Sequence, residues 1–160
     1  LVDTGDNSMT GGRLGRIEKY VKNENAFCFT YGDGVSNIDI TALIKFHKNH
    51  GKDATLTAVY PPGRFGALDI KEGKVIKFTE KPKGDGALIN GGFFVLSPNV
   101  LKRISGDNCT WEDEPLKNLA REGSLMSFIH EGFWQPMDTL RDQVYLQKLW
   151  EEGNAPWKIW

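Results

Sequence analysis

Phe27-Cys28-Phe29-Thr30-Tyr31-Gly32-Asp33-Gly34-Val35 is the stretch that decides how this chain is read. A run of strand-forming residues stops at a carboxylate held between two glycines. In open α/β sheets, ligands bind just beyond the carboxyl ends of the strands. Asp33 in that position offers hard oxygen ligands to Mg²⁺, and its glycine neighbours let a phosphate or sugar approach the backbone. A plain Asp-Gly turn is the competing reading of the same residues.

Working outward, residues 26–31 form the strand, and a polar loop at residues 5–12 precedes a helix over 13–21, where Leu14, Ile17 and Val21 repeat at helical spacing. A second helix is expected over 39–50, with Ile40, Leu43, Ile44 and Phe46 on its apolar side and Gly51 as its stop. Residues 54–60 read as the next strand, and strand-helix-strand order points to a crossover in a largely parallel sheet. Residues 67–70 and 74–79 flank Glu72-Gly73 as a hairpin. Residues 91–96 read as a buried strand, and Pro98 suits the first turn of a short helix. Thr110 with Asp113 resembles a capping box ahead of a helix over 114–122 that Gly123 ends. Residues 125–130 read as a strand, and Thr139 with Asp142 opens a final helix closed by Gly153. The expected fold is therefore α/β: a Rossmann-like, mixed but mostly parallel sheet flanked by helices, with a small β-hairpin, all in one domain over residues 1–160.

A hydrophobic content of 39% with 26% charged residues belongs to an ordinary globular chain. A formal net charge of -1 supplies no bulk field to attract nucleic acid or an anionic membrane, so neither is expected as a partner. No apolar run approaches the roughly 20 residues of a membrane helix. Cys28 and Cys109 lie far apart without metal-site spacing, and Cys28 reads as a buried core thiol. A reducing, cytoplasmic setting is expected. Asn108-Cys109-Thr110 matches a glycosylation tripeptide, which matters only in a secreted chain. His47 and His50, three apart amid lysines, read as residues of a surface helix.

Three further clusters can carry chemistry. Gly63-Arg64-Phe65-Gly66 is a glycine-bracketed loop entering a strand. Glu80-Lys81-Pro82 closes the hairpin, and a stiffened ammonium there suits a phosphate. In Trp134-Gln135-Pro136-Met137-Asp138-Thr139 an acid directly precedes a helix start. Asp138 could cap that helix, an effect worth around 1 kcal/mol, but Thr139 can already do so.

Together with Asp3-Thr4-Gly5, Thr10-Gly11-Gly12-Arg13 and Ile89-Asn90-Gly91-Gly92-Phe93-Phe94, and in this order and spacing, these pieces resemble the sugar nucleotidylyltransferase family over essentially the whole chain. The resemblance implies that Asp33 and Asp138 hold a catalytic Mg²⁺ and that Lys81 grips the sugar phosphate. It further implies that Glu80 and Asn90 bond sugar hydroxyls, and that Ser8, Arg13, Gly32 and Gly66 line the nucleotide or sugar-phosphate pocket. The implied substrates are CTP and glucose 1-phosphate, with UTP or dTTP as alternative nucleotides, and the implied assembly is a homo-oligomer, with the tail Ala155-Pro156-Trp157-Lys158-Ile159-Trp160 as one contact. The family's glycine-rich nucleotide loop has no counterpart in these residues. Leu1-Val2-Asp3-Thr4-Gly5 reads as the tail of a strand, so a preceding segment is expected, and the 160 residues alone are expected to lack turnover. A non-catalytic nucleotide-sugar-binding module is the rival from another class; the presence of both aspartates disfavours it. A glycosyltransferase of related fold would show an Asp-x-Asp pair, which Gly32-Asp33-Gly34 does not offer.

Overall fold

In the computed structural model, which describes residues 1–63, 67–80 and 87–159, Phe27–Thr30 forms strand β1 at one end of a four-stranded sheet. Ala54–Val59 is β3, Ile89–Leu96 is β6 and Leu125–His130 is β7, and the sheet order is β1-β6-β3-β7. The architecture is mixed α/β with a mostly parallel central sheet, as the element order implied. β6 inserts between β1 and β3 and runs antiparallel to β1, with Phe27 opposite Leu96 and Thr30 opposite Phe93. The crossover through helix α3, Ile40–His50, therefore passes over one strand rather than joining neighbours.

The chain divides into two compact units. The first comprises Leu1–Thr30, Ile40–Leu56 and Phe93–Phe128. Its core includes the rings of Phe29, Phe94 and Trp111, which pack edge-to-face and tilted with centroids 5.6–6.2 Å apart. Leu14, Leu43, Leu96, Val100 and Leu119 are buried in the same unit. Strand alternation puts Phe29 toward these rings and Cys28 on the opposite face, so Cys28 is exposed and not the core thiol expected from its apolar neighbours. Cys109 is the buried cysteine.

The helix expected over 13–21 begins earlier and is broken: Thr10–Arg16 forms α1, Glu18–Val21 forms α2, and Ile17 lies between them. Gly11 and Gly12 join α1 because the chain at Asp107–Cys109 lies directly on them. A Cβ on Gly11 would come within 2.7 Å of the Cys109 carbonyl oxygen, and one on Gly12 would strike that of Asp107. Helix α4, Glu114–Arg121, also differs from expectation. Its N-cap is Asp113, which makes no side-chain cap bond, because its carboxylate instead accepts from Lys117 Nζ at 2.8 Å. Pro98–Arg103 forms a short 3-10 helix.

His47 is not a surface residue: it is 5% exposed. The amide of Lys52 donates to His50 Nδ1 at 2.9 Å, so the neutral His50 carries its proton on Nε2. That Nε2–H faces Thr55 Oγ1 at 2.7 Å, and the same oxygen lies 2.9 Å from His47 Nδ1, within hydrogen-bond distance. One threonine of β3 thus satisfies two imidazoles of α3.

The second unit comprises Tyr31–Asp39, Thr57–Gly92 and Ile129–Trp160. Within it Ala67–Lys71 (β4) and Lys74–Thr79 (β5) form the expected hairpin, with Glu72 and Gly73 at positive φ in the turn. Gly34–Ser36 (β2) and Trp134–Pro136 (β8) make a second, short antiparallel pair that sequence periodicity did not reveal. Leu140–Glu151 forms α5 behind the expected Thr139–Asp142 capping box. Near the end of the chain Trp157 stacks on Phe133, with centroids 5.5 Å apart.

Candidate active site

The β2–β8 ladder carries the residues on which the chemistry was expected to turn. Gly34 lies opposite Pro136, Val35 opposite Gln135 and Ser36 opposite Trp134. One step beyond the ladder, the amide of Met137 donates to the carbonyl of Asp33 at 2.7 Å. Asp33 therefore leaves β2 at the same end at which Asp138 leaves β8, and both residues are exposed. The two acids, remote in sequence, are brought together by three paired residues and one further backbone bond.

The other end of this ladder is fastened by polar groups. The Phe133 carbonyl accepts from the Asn37 amide at 3.2 Å and the Ser36 hydroxyl at 2.8 Å, and His130 Nε2 lies 3.1 Å away. In return the Phe133 amide donates to Asn37 Oδ1 at 2.8 Å. These bonds fix register in a pairing too short to be set by apolar alternation.

Asn90 sits at the start of β6. Its Oδ1 accepts from the Gly92 amide at 2.9 Å, and its Nδ2 donates to the Tyr31 hydroxyl at 3.2 Å. The Tyr31 amide donates to the Gly92 carbonyl at 3.1 Å, and Trp134 Nε1–H donates to that of Gly91 at 2.8 Å. A Cβ on Gly32 would meet no heavy atom within 4 Å, so the turn before Asp33 is open. Glu80 is exposed just after β5.

Ser8 and Arg13 lie in the first unit and share one task there. The buried Ser8 hydroxyl donates to the Thr4 carbonyl at 2.6 Å. The Arg13 guanidinium donates to Thr4 Oγ1 at 2.8 Å and to the Asp6 carbonyl at 3.2 Å. Both therefore shape the loop before α1. Gly66 and Lys81 lie outside the described residues.

Sequence reasoning missed Tyr31, Gln135 and Asp142. Gln135 and Asp142 are 7% and 8% exposed, and Gln135 Nε2 donates to Asp142 Oδ1 at 2.9 Å. Tyr31 and Gln135 stand in the quoted stretches around Asp33 and Asp138 but received no role there, and the Thr139–Asp142 box accounts for the carboxylate of Asp142 but not for the glutamine.

Chemically, two exposed carboxylates at one end of a ladder are suited to Mg²⁺, which is commonly held by one or two carboxylates with water and substrate phosphates completing its shell. Among the described residues, no cluster of three or more His, Cys, Asp or Glu is poised to hold a metal alone. That donor set fits a cation shared with a phosphate substrate. No described helix is long and apolar enough to cross a membrane.

A profile of the family described as nucleotidyl transferase matches residues 12–142. The chain is 69% identical over 160 residues to the glucose-1-phosphate cytidylyltransferase of Salmonella typhimurium, covering all of this chain and 62% of that protein. It is 42% identical over 161 residues to a Bacillus subtilis protein named probable glucose-1-phosphate cytidylyltransferase, covering 63% of it. The chain thus spans less than two thirds of the length of these relatives. Among solved structures it is similar to HddC from Yersinia pseudotuberculosis complexed with GMP-PN, with a TM-score of 0.69 and 19% identity over 94% of this chain and 65% of that one.

Proposed function

The chain belongs to the nucleotidyl transferase family, and on that premise we propose that the full-length protein acts as a glucose-1-phosphate cytidylyltransferase, joining CTP and α-D-glucose 1-phosphate into CDP-glucose with release of pyrophosphate. The structural observation that most supports this reading is the bond from the Met137 amide to the Asp33 carbonyl, which sets Asp33 and Asp138 at the same end of one ladder. The identity to the Salmonella relative supports the choice of CTP and glucose 1-phosphate. Its working form is proposed to be a cytoplasmic homo-oligomer; the exposed Leu140, Val144 and Trp150 of α5 offer apolar surface for contact.

The sugar phosphate is mostly dianionic at neutral pH, since its second pKa is near 6. No general base is needed to make it a nucleophile. Its oxygen attacks the α-phosphorus of CTP, a new P–O bond forms, and the bond to the β-phosphate oxygen breaks as pyrophosphate leaves. The barrier is electrostatic and geometric, because two anions must meet in line. Asp33 and Asp138 would hold Mg²⁺, which when bound supplies charge neutralisation at the α-phosphate. Lys81 is assigned to the attacking phosphate, Glu80 and Asn90 to sugar hydroxyls, and Ser8, Arg13, Gly32 and Gly66 to nucleotide or sugar phosphate.

The test is pyrophosphate release by the full-length protein with glucose 1-phosphate and each of CTP, UTP, dTTP and GTP. CTP is expected to be the preferred nucleotide. Asp33→Asn and Asp138→Asn are each expected to lower kcat/KM by at least about 100-fold, roughly 3 kcal/mol of transition-state stabilisation. Wild-type rates in either variant would overturn the metal assignment. CDP-glucose binding without turnover of any nucleotide would favour a binding module instead.

A further inference from the structure

We propose that Gln135 and Asp142 are positioning residues, a buried clamp across the turn from β8 to α5 that sets the carboxylate of Asp138. The inference rests on the reading of Asp138 as a ligand for a divalent cation and extends it to residues which that reading leaves out.

Asp142 does more than a capping box requires. Its Oδ2 accepts from the Thr139 amide at 3.0 Å and from the Thr139 hydroxyl at 2.7 Å, while its own amide donates to Thr139 Oγ1 at 3.2 Å. Those bonds complete the cap. Its Oδ1 accepts from Gln135 Nε2 at 2.9 Å, and that nitrogen also donates to the Pro136 carbonyl at 3.2 Å. An exposed helix start needs no such partner, whereas here both residues are buried, at 7% and 8% exposure. A buried polar pair is retained at a cost in desolvation unless its bonds are made, so once made they hold one geometry.

That geometry brackets Asp138. Gln135 lies in β8, opposite Val35, and Asp142 lies in the first turn of α5, so their bond ties the two ends of the turn. Inside the turn, the residue before Asp138 donates its amide to the Asp33 carbonyl, and the residue after it donates its amide to Asp142. Both neighbours of Asp138 are therefore anchored, one to the partner acid's own backbone and one to the clamp. Partners that orient a metal ligand typically govern metal affinity by about 10- to 100-fold.

The experiment measures Mn²⁺ affinity of the full-length protein by the electron paramagnetic resonance signal of free Mn²⁺, alongside thermal melting. Gln135→Leu and Asp142→Asn are expected to raise the Mn²⁺ dissociation constant about 10- to 100-fold in protein that remains folded at the assay temperature. The swap Gln135→Glu with Asp142→Asn reverses the donor and acceptor of the central bond and is expected to recover affinity to within about threefold of wild type. It also supplies the decisive reading where a single variant does not fold: a folded swap that has lost affinity overturns the proposal. Lower melting temperatures with unchanged Mn²⁺ affinity would reduce the clamp to a cap and also overturn it. Asp138→Asn separates the two levels of inference. If it weakens Mn²⁺ while the clamp variants do not, the clamp alone fails; if it leaves Mn²⁺ affinity unchanged, the metal reading fails and the clamp with it.

Discussion

Replacing Gly92 with alanine is expected to destabilise the protein by about 2–5 kcal/mol, and the structure shows where that figure comes from. Gly92 has φ +76°, in the left-handed region, where a Cβ costs about 1–2 kcal/mol. The added Cβ would also stand 2.6 Å from Tyr31 Cδ2 and 3.3 Å from Cγ and Cε2, whereas carbon atoms pack at about 3.5–4.0 Å. The ring must move, yet the Tyr31 amide is tied to the Gly92 carbonyl and its hydroxyl to Asn90 Nδ2. Overpacking of this kind adds about 1–3 kcal/mol. Gly51→Ala is the control: φ there is +64°, but no heavy atom lies within 4 Å of the new Cβ, so only the backbone term of about 1–2 kcal/mol applies. Equilibrium denaturation of both variants isolates the Tyr31 clash as their difference. Under the proposed role of Asn90 toward a sugar hydroxyl, displacing its Tyr31 partner by Gly92→Ala is also expected to raise KM for glucose 1-phosphate while Gly51→Ala leaves it unchanged. Equal destabilisation by the two substitutions would refute the argument.

Three further outcomes follow from the first unit and the cap of α5. Trp111→Ala removes a fully buried ring that touches Phe29 and Phe94, and a loss of about 3–5 kcal/mol in denaturation is expected. Burial above all, then the neighbouring His50 for His47 and Lys52 for His50, holds both imidazoles below their ordinary value near 6.5. Above that pH the rings are neutral in folded and unfolded chains alike and their contribution is complete; as pH falls below it, the unfolded chain takes up protons first and stability is lost. His47 and His50 are thus expected to titrate below 6.5 by NMR, and a midpoint above it for either would count against the burial of that ring. Thr139→Ala removes the cap of α5 and is expected to lower stability by about 1 kcal/mol, read as a fall in melting temperature.

Local rules reach only a few residues, and what they govern was legible in the chain. The helical spacing of Leu43 and its neighbours, the left-handed stops at Gly51, Gly123 and Gly153, and the Thr139–Asp142 box each act within one or two turns. The strand ending ahead of Gly32-Asp33-Gly34 was legible for the same reason, and the family resemblance named Asp33 and Asp138 from motifs alone. Tertiary closure decided the rest. β2 and β8 are three residues each, too short for periodicity to register, and they exist because distant segments satisfy one another's backbone groups. The burial of His47 depended on a threonine in another element, and the exposure of Cys28 on which face of β1 met Phe94 and Trp111. The meeting of the two acids is of this second kind: their identity was written in the sequence, whereas their proximity was decided by which strands could pair and bury their polar groups.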